Sequence, residues 1–389
     1  MSPDRLTILV DENVPLALES FGRLGTIRVR PGRQMTPADV ADVDVLIVRS
    51  VTRVDDALLR DSPVRFVGTA TIGCDHVDVD YLRSRNIAFA SAPGSNANSV
   101  AEYVAAALLL SAGSRDTSLA GKTMAVVGVG NVGSRVAAKA EALRMRCVLN
   151  DPPRQRQTGD PVFVSLDAAI READYVTLHV PLEARGPDAT VGMADRRFFD
   201  TMRAGAVFIN TSRGAAVDEA ALGTALDSGR VAQAVLDVWQ NEPAIDPRLV
   251  RRALVATPHI AGYSFDGKVA ATLRLHSALC EWLDPREAHA LDLSGELPPP
   301  AVPRIDLSGY RGTDEDLLRV LVPAVYDIQE DDRALREAVA RPDAAARFDW
   351  LRKTYKRRRE FHHTTAVIPR RRDSLVDSAA RLGFRIETQ

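Results

Sequence analysis

The segment KTMAVVGVGNVGSRVAAKAEAL sets Gly128, Gly130 and Gly133 between an apolar, strand-like run and a helix-like run. No other feature narrows the fold so far. A strand that turns at once into a helix packed against it belongs to a parallel α/β sheet. The first glycine permits the tight turn, the second lets backbone approach a pyrophosphate, and the third lets helix and strand pack closely. The helix start, at Asn131 and Val132, offers unpaired N–H groups to phosphate oxygens. Asp151 closes the next apolar run, RMRCVLND. A carboxylate there accepts from the adenosine ribose hydroxyls and repels a 2′-phosphate, which favours NAD over NADP. Arg154 and Arg156, just beyond, soften that preference.

The rest of the chain extends the pattern. LTILVDE, DVDVLIVRS, VRFVGTA and NIAFASA read as strands of a first module, with polar helix-compatible segments between them. TMAVVG, RCVLND, YVTLHV, AVFINT, AVLDV and LVATP form a second series around the glycine turn. Two apolar helices, in NSVAEYVAAALLLSAGSR and DGKVAATLRLHSALCEWL, carry the chain from one module to the other and back. The proline-rich GELPPPAVPRI then leads to helix-like segments and the polar run KTYKRRREFHH, which reads as a solvated face. The expected fold is α/β: two Rossmann-like doubly wound domains plus a small α+β C-terminal domain. The expected boundaries are 1–98 with 260–289, then 99–259, then 290–389.

Composition removes several classes of function. Lys+Arg (50) and Asp+Glu (52) nearly cancel, and aromatics make up 5% of the 389 residues, so no nucleic-acid partner is expected. The longest apolar run, VAAALLLSA, is too short to span a bilayer. The opening MSPDRLTILVDENVP does not read as a signal peptide, and Cys74, Cys147 and Cys280 are few and scattered; a cytoplasmic setting is expected. Cys74, His76 and Asp78 lack the partners a zinc site needs, so no metal is expected.

Three successive strands of the second series end in chemically different residues. GAVFINTSRGA delivers Arg213, AVLDVWQNEP delivers Glu242 and LVATPH delivers His259. A guanidinium matches a carboxylate with two parallel hydrogen bonds. A histidine exchanges protons near neutral pH, and a glutamate on its other nitrogen fixes the tautomer and favours the imidazolium. Each alone has a structural reading. Together, beside a dinucleotide turn, they predict oxidation of a 2-hydroxy acid, with Arg213 on the carboxylate and His259 on the C2 hydroxyl.

The motifs VVGVGNVG, INTSRGAAVDEAAL, VLDVWQNEP and TPHIAGY resemble the D-isomer-specific 2-hydroxyacid dehydrogenase family. ILVDENVP, FVGTATIGCDHVD, APGSNANSVAEYV, NDPPR and LRKTYKRRREF resemble the branch of it that acts on a small phosphorylated 2-hydroxy acid and dimerises through its own C-terminal domain. The resemblance implies a catalytic set of Arg213, Glu242 and His259. It implies cofactor contacts from Asp151, Thr211, Ser212, Arg213, Asp237 and Gly262, and substrate contacts from Ser50, Thr71, Arg213 and Tyr263. It also implies a homodimer, for which the apolar LLRVLVPAVY offers a face. Two positions depart from the family pattern: Ser95 where cysteine is common, and Val180 where threonine is common. The rival readings are a relative acting on 3-phosphoglycerate or an unphosphorylated hydroxy acid, and an NAD-sensing interaction protein of the same fold.

Overall fold

The computed structural model describes residues 6–284 and 291–389. The expected boundary at 289/290 and the first five residues lie outside that range. Two compact units form: Met1–Asn96 with Ser264–Pro299, and Ala97–Tyr263 with Pro300–Gln389.

The first unit holds five parallel strands, β1 (Leu6–Asp11), β2 (Gly25–Arg30), β3 (Val45–Val48), β4 (Phe66–Thr69) and β5 (Ala88–Ala90), in the order β2-β1-β3-β4-β5. β3 and β4 are buried along their whole length, as strands covered on both faces must be. Ile8, Val10, Ile47 and Phe66 meet Leu275 and Leu279 of the Phe265–Leu283 helix on one face. Leu9, Leu46, Val48 and Val67 pack with Leu59 and Leu82 on the other. β2 was not foreseen. As an edge strand it is half-solvated, so GTIRVR alternates apolar with polar residues and lacks the continuous apolar run of its neighbours.

The second unit is built on six parallel strands, β6 (Thr123–Val127), β7 (Arg146–Asn150), β8 (Tyr175–Leu178), β9 (Ala206–Asn210), β10 (Val231–Leu236) and β11 (Val255–Ala256). Their order is β11-β10-β9-β8-β6-β7, and an isolated parallel bridge, Leu149↔Phe163, flanks β7. The order reverses at β6, which places the switch point at the glycine turn. The Ala97–Ser114 helix is buried nearly all round.

One part of that helix is covered by the Asn131–Ala142 helix and another by the C-terminal segment, which packs with residues 97–263 as one unit. It carries its own small parallel sheet, β12 (Arg304–Asp306), β13 (Thr365–Ile368) and β14 (Arg385–Thr388), with β13 central. Its helices are Asp314–Val325, Ile328–Val339, Ala344–Lys353 and Asp373–Leu382. Two expectations are corrected here. The face of LLRVLVPAVY is spent inside the chain: Leu317, Leu318, Leu321 and Val322 join the core around the Ala97–Ser114 helix. The run KRRRE is solvated only at Lys356 and Arg357; Arg358, Arg359 and Glu360 are buried. Arg358, 2% exposed, lies 3.2 Å from Glu102 and over the Tyr326 ring at 4.2 Å. Such a charge is tolerated inside only because it is paired.

Candidate active site

The glycine turn has the form its spacing predicts. Gly128 has φ +83, and a Cβ there would press on the His179 carbonyl at 2.6 Å and on Val180 Cγ1 at 3.1 Å. A Cβ on Gly133 would collide with the Gly128 carbonyl. Val180 therefore lies against the turn. Gly130 caps the Asn131–Ala142 helix with open space where its Cβ would lie. An unobstructed helix N-terminus of this kind fits a pyrophosphate.

Asp151 does more than the sequence suggested. It is buried, its Oδ2 accepts from Val129 N at 2.8 Å, and its Oδ1 caps the Pro152–Thr158 helix through Arg154 N at 3.0 Å. The carboxylate thus ties the glycine turn to the end of β7. The two nearby arginines are occupied: Arg154 bonds the Val129 carbonyl and lies over Phe163, and Arg156 pairs with Asp188.

β9, β10 and β11 are neighbours and parallel, so the residues after them emerge at one edge of the sheet. His259 Nδ1 lies 2.8 Å from Glu242 Oε2. A carboxylate only accepts, so Nδ1 carries a proton in either state of the ring, and in the neutral ring Nε2 keeps its lone pair. Glu242 Oε1 accepts from Trp239 N at 2.9 Å, which fixes the carboxylate in turn. Burial alone would push the His259 pKa down. The charge and hydrogen bond of Glu242, with a smaller contribution from Asp237, outweigh it, and the net shift is upward. Burial works against ionised Glu242, but His259, the Trp239 N–H and Arg352 leave its pKa lowered. The pair therefore favours imidazolium and carboxylate, with the His259 side chain still 34% exposed.

The loop that presents His259 is held by Asp237. The carboxylate accepts from Thr257 Oγ1 at 2.6 Å, Ile260 N at 2.7 Å and Ala261 N at 2.9 Å, while its carbonyl takes His259 N at 2.7 Å. Thr257 also meets the Tyr103 hydroxyl at 2.7 Å, and its carbonyl accepts from Trp239 Nε1 at 2.9 Å. His259 itself sits at φ +58, a left-handed conformation that this clamp sustains. Gly262 lies in the turn closed by Tyr263 N on the Ile260 carbonyl at 2.8 Å.

Arg213 is shaped by Asn210, the buried last residue of β9. Asn210 Oδ1 accepts from Ser212 N and Oγ, and its amide donates to the Arg213 carbonyl at 3.0 Å. A Cβ on Gly214 would collide with the Trp239 backbone, so this turn lies against the loop leading to Glu242. Thr211 Oγ1 is 3.4 Å from His179 Nδ1, and Thr177 holds the other ring nitrogen at 2.9 Å. Burial pushes the His179 pKa down to about 3, so this histidine stays neutral and structural.

The remaining predicted contacts divide between the units. Tyr263 stacks edge-on with Tyr355 at 5.9 Å and accepts from Arg352 Nη2 at 3.2 Å. In the first unit, Ser50 is exposed past the end of β3, and Thr71 lies past β4, where it meets Thr69 at 2.8 Å. Sequence reasoning missed Asn210, Thr257, Tyr103 and Arg352. The first three left a faint signal, a polar group at the end of an apolar strand or inside an apolar helix that must find a partner. Arg352 left none.

Residues 100–261 match the D-isomer specific 2-hydroxyacid dehydrogenase NAD binding domain, and 296–383 match a domain of unknown function, DUF3410. The chain is similar over nearly its whole length to erythronate-4-phosphate dehydrogenases. It is 47% identical to that of Salinibacter ruber, covering 97% of this chain and 98% of the relative. It is 44% identical to that of Chromohalobacter salexigens, covering 98% and 99%. Among solved structures, the TT0316 protein of Thermus thermophilus superposes with TM-score 0.62 at 29% identity, covering 73% of this chain and 99% of that one. D-lactate dehydrogenase from Aquifex aeolicus, complexed with NAD and lactic acid, shares the fold with TM-score 0.60 at 23% identity, covering 72% and 96%. With the glycine turn, the Glu242–His259 pair and full-length relatives in agreement, the chain belongs to the D-isomer-specific 2-hydroxyacid dehydrogenase family, among its erythronate-4-phosphate dehydrogenases.

Proposed function

We propose that this chain is an NAD-dependent dehydrogenase that oxidises 4-phospho-D-erythronate to (R)-3-hydroxy-2-oxo-4-phosphooxybutanoate. The observation that carries the chemistry is the 2.8 Å bond between His259 Nδ1 and Glu242, which leaves Nε2 as a base. Arg213 holds the C1 carboxylate through two parallel hydrogen bonds. Neutral His259 takes the C2 hydroxyl proton on Nε2, and the O–H electron pair becomes the carbonyl π bond as hydride leaves C2. NAD, when bound, accepts that hydride. Glu242 stabilises the imidazolium that results. Asp237 keeps the His259 loop in register. Thr211, Ser212, Asp237 and Gly262 line the cofactor side, and Ser50, Thr71 and Tyr263 contact the substrate. This product suits a route to pyridoxal 5′-phosphate, and a cytoplasmic location suits the activity. Among the described residues no helix is long and apolar enough to cross a membrane.

Turnover of 4-phosphoerythronate, erythronate and 3-phosphoglycerate, compared with an oxo-acid present to recycle NADH, tests the substrate. The first should win by kcat/KM. A preference for 3-phosphoglycerate overturns the reading in favour of that dehydrogenase, and cofactor binding without turnover of any of the three favours an interaction protein.

Cofactor choice rests on Asp151. Because it also caps a helix, Asp151→Asn is preferred to alanine: it removes the charge and keeps one of the two acceptors, and a thermal melt reports the cost of losing the other. Losing a charge-assisted hydrogen bond, about 1.5–3 kcal/mol, should weaken NAD by roughly 10–100-fold and lower the NAD:NADP ratio of kcat/KM. An unchanged ratio removes Asp151 as the selector.

Residues 290–389 are proposed as a C-terminal dimerisation domain. With LLRVLVPAVY consumed internally, the exposed Trp350 and Tyr310 are the apolar groups this segment still offers. Sedimentation of the full chain at micromolar concentration should give a dimer that Trp350→Glu weakens; a monomeric wild type rejects the assembly.

A further inference from the structure

Arg352 is the cation that the mechanism above leaves unused. It lies in the Ala344–Lys353 helix of the C-terminal segment, in the same compact unit as His259, Glu242 and Tyr263. Its Nη2 donates to the Tyr263 hydroxyl at 3.2 Å, and its guanidinium carbon lies 5.8 Å from the centre of that ring. Its charge reaches both members of the catalytic pair, favouring carboxylate at Glu242 and opposing imidazolium at His259. Its Nε is shielded from solvent and makes no hydrogen bond among the described residues.

As a purely structural residue, Arg352 is costly. A buried N–H without a partner costs about 1–3 kcal/mol. A positive charge beside the acid/base histidine also opposes the protonation that catalysis requires. A brace for Tyr263 needs neither a charge nor a fork of donors.

The arrangement is economical if an anion arrives with the substrate. A 2-hydroxy acid phosphate brings a carboxylate, assigned to Arg213, and a second, dianionic group without an assigned partner. The planar fork of donors on the guanidinium matches two phosphate oxygens. Binding there cancels the field that opposes the imidazolium.

We propose that Arg352, with the Tyr263 hydroxyl, forms the subsite for the substrate's phosphate, so that the C-terminal segment supplies specificity for a phosphorylated hydroxy acid. This rests on the function proposed above and deepens it. KRRRE does not compete for the role through Arg358, which is committed to Glu102 and Tyr326.

The test compares wild type, Arg352→Gln and Arg352→Lys on 4-phosphoerythronate and on erythronate, with inorganic phosphate as a competitive probe. NADH fluorescence and a thermal melt report folding. In Arg352→Gln the loss of kcat/KM should be at least ten times greater on the phosphorylated substrate, mainly through KM, and competition by phosphate should disappear. Arg352→Lys, which keeps the charge but not the fork, should recover part of both and serves if the glutamine variant does not fold. Equal losses on the two substrates, or undiminished phosphate competition, would make Arg352 a brace for Tyr263 and overturn the proposal while the dehydrogenase reading stands. A wild type indifferent to the phosphate group defeats the substrate reading itself, whatever the variants do.

Discussion

Replacing His259 by alanine lowers kcat by about 10²–10⁴-fold and leaves NADH binding in place. On the proposed mechanism the loss is that of a general base whose tautomer is set: with Nδ1–H spent on Glu242, Nε2 would be the atom that exchanges the C2 proton. His259 occupies a left-handed backbone position, where asparagine is better tolerated than alanine. His259→Asn should therefore fold at least as well as His259→Ala and lose as much activity, which separates chemistry from loop strain. Oxidation needs neutral imidazole, and the His259 pKa is raised, so kcat/KM should climb with pH through a limb above the ordinary histidine value. Glu242→Gln removes the charge that raises it, and the limb should move to lower pH. Near wild-type turnover by the His259 variants in steady-state assays would mark His259 as a structural residue.

Replacing Arg358 by leucine should destabilise the protein by about 3–5 kcal/mol, the largest effect on stability expected of any single substitution considered. Arg358 is enclosed with Glu102, which is 1% exposed, and Glu360 lies beside them. Asn98 Nδ2 donates to Glu102 at 3.1 Å and to Glu360 at 2.6 Å, Ser99 Oγ donates to Glu360 at 2.7 Å, and Phe361 N donates to Glu102 at 2.8 Å. Removing the guanidinium leaves two carboxylates facing each other away from water. Burial, and then repulsion from Glu360, push the Glu102 pKa up to about 8 even with Arg358 present. A carboxyl whose folded pKa is raised contributes stability that is full below its unfolded pKa and fades as pH rises through the folded one. The Arg358→Leu penalty should therefore be smaller at pH 6, where Glu102 can hold a proton, than at pH 9. Urea melts at the two pH values measure this. A loss under 1 kcal/mol at both would return KRRRE to the solvated face expected of it.

The cluster explains why the C-terminal segment cannot be treated as an appendage. It locks KRRRE to the start of the Ala97–Ser114 helix, while Lys139 Nζ donates to the Leu382 carbonyl at 2.7 Å and Arg336 donates to the Val250 and Ala253 carbonyls at 2.7 and 2.8 Å. A charged run gives no sign in sequence of whether water or a partner distant in the chain will neutralise it. Lys, Arg and Glu are rarely buried, and here long-range pairing overrides that tendency.

Local chemistry was legible where geometry is local. The glycine turn, the strands on either side of it and Asp151 lie close along the chain, and backbone sterics dictate their arrangement. Arg213, Glu242 and His259 were legible for a related reason: parallel strands send their following loops to one edge, so three polar residues after three successive strands belong together. β2 was not legible, because an edge strand need not be apolar. Neither was the clamp on the His259 loop, since Asp237, Thr257 and Tyr103 meet only once β10, β11 and the Ala97–Ser114 helix have packed. Arg352 is the extreme case. Its sequence, RFDWLRKTYK, is that of a polar helix, and only the docking of the C-terminal segment brings its charge to Glu242 and His259. What the sequence determined about this protein is the sheets and the polar residues at their strand ends, from which the proposed reacting groups are drawn. The tertiary structure decided which distant charges those groups feel, because a Coulomb interaction depends on separation in space and burial, and neither is encoded in spacing along the chain.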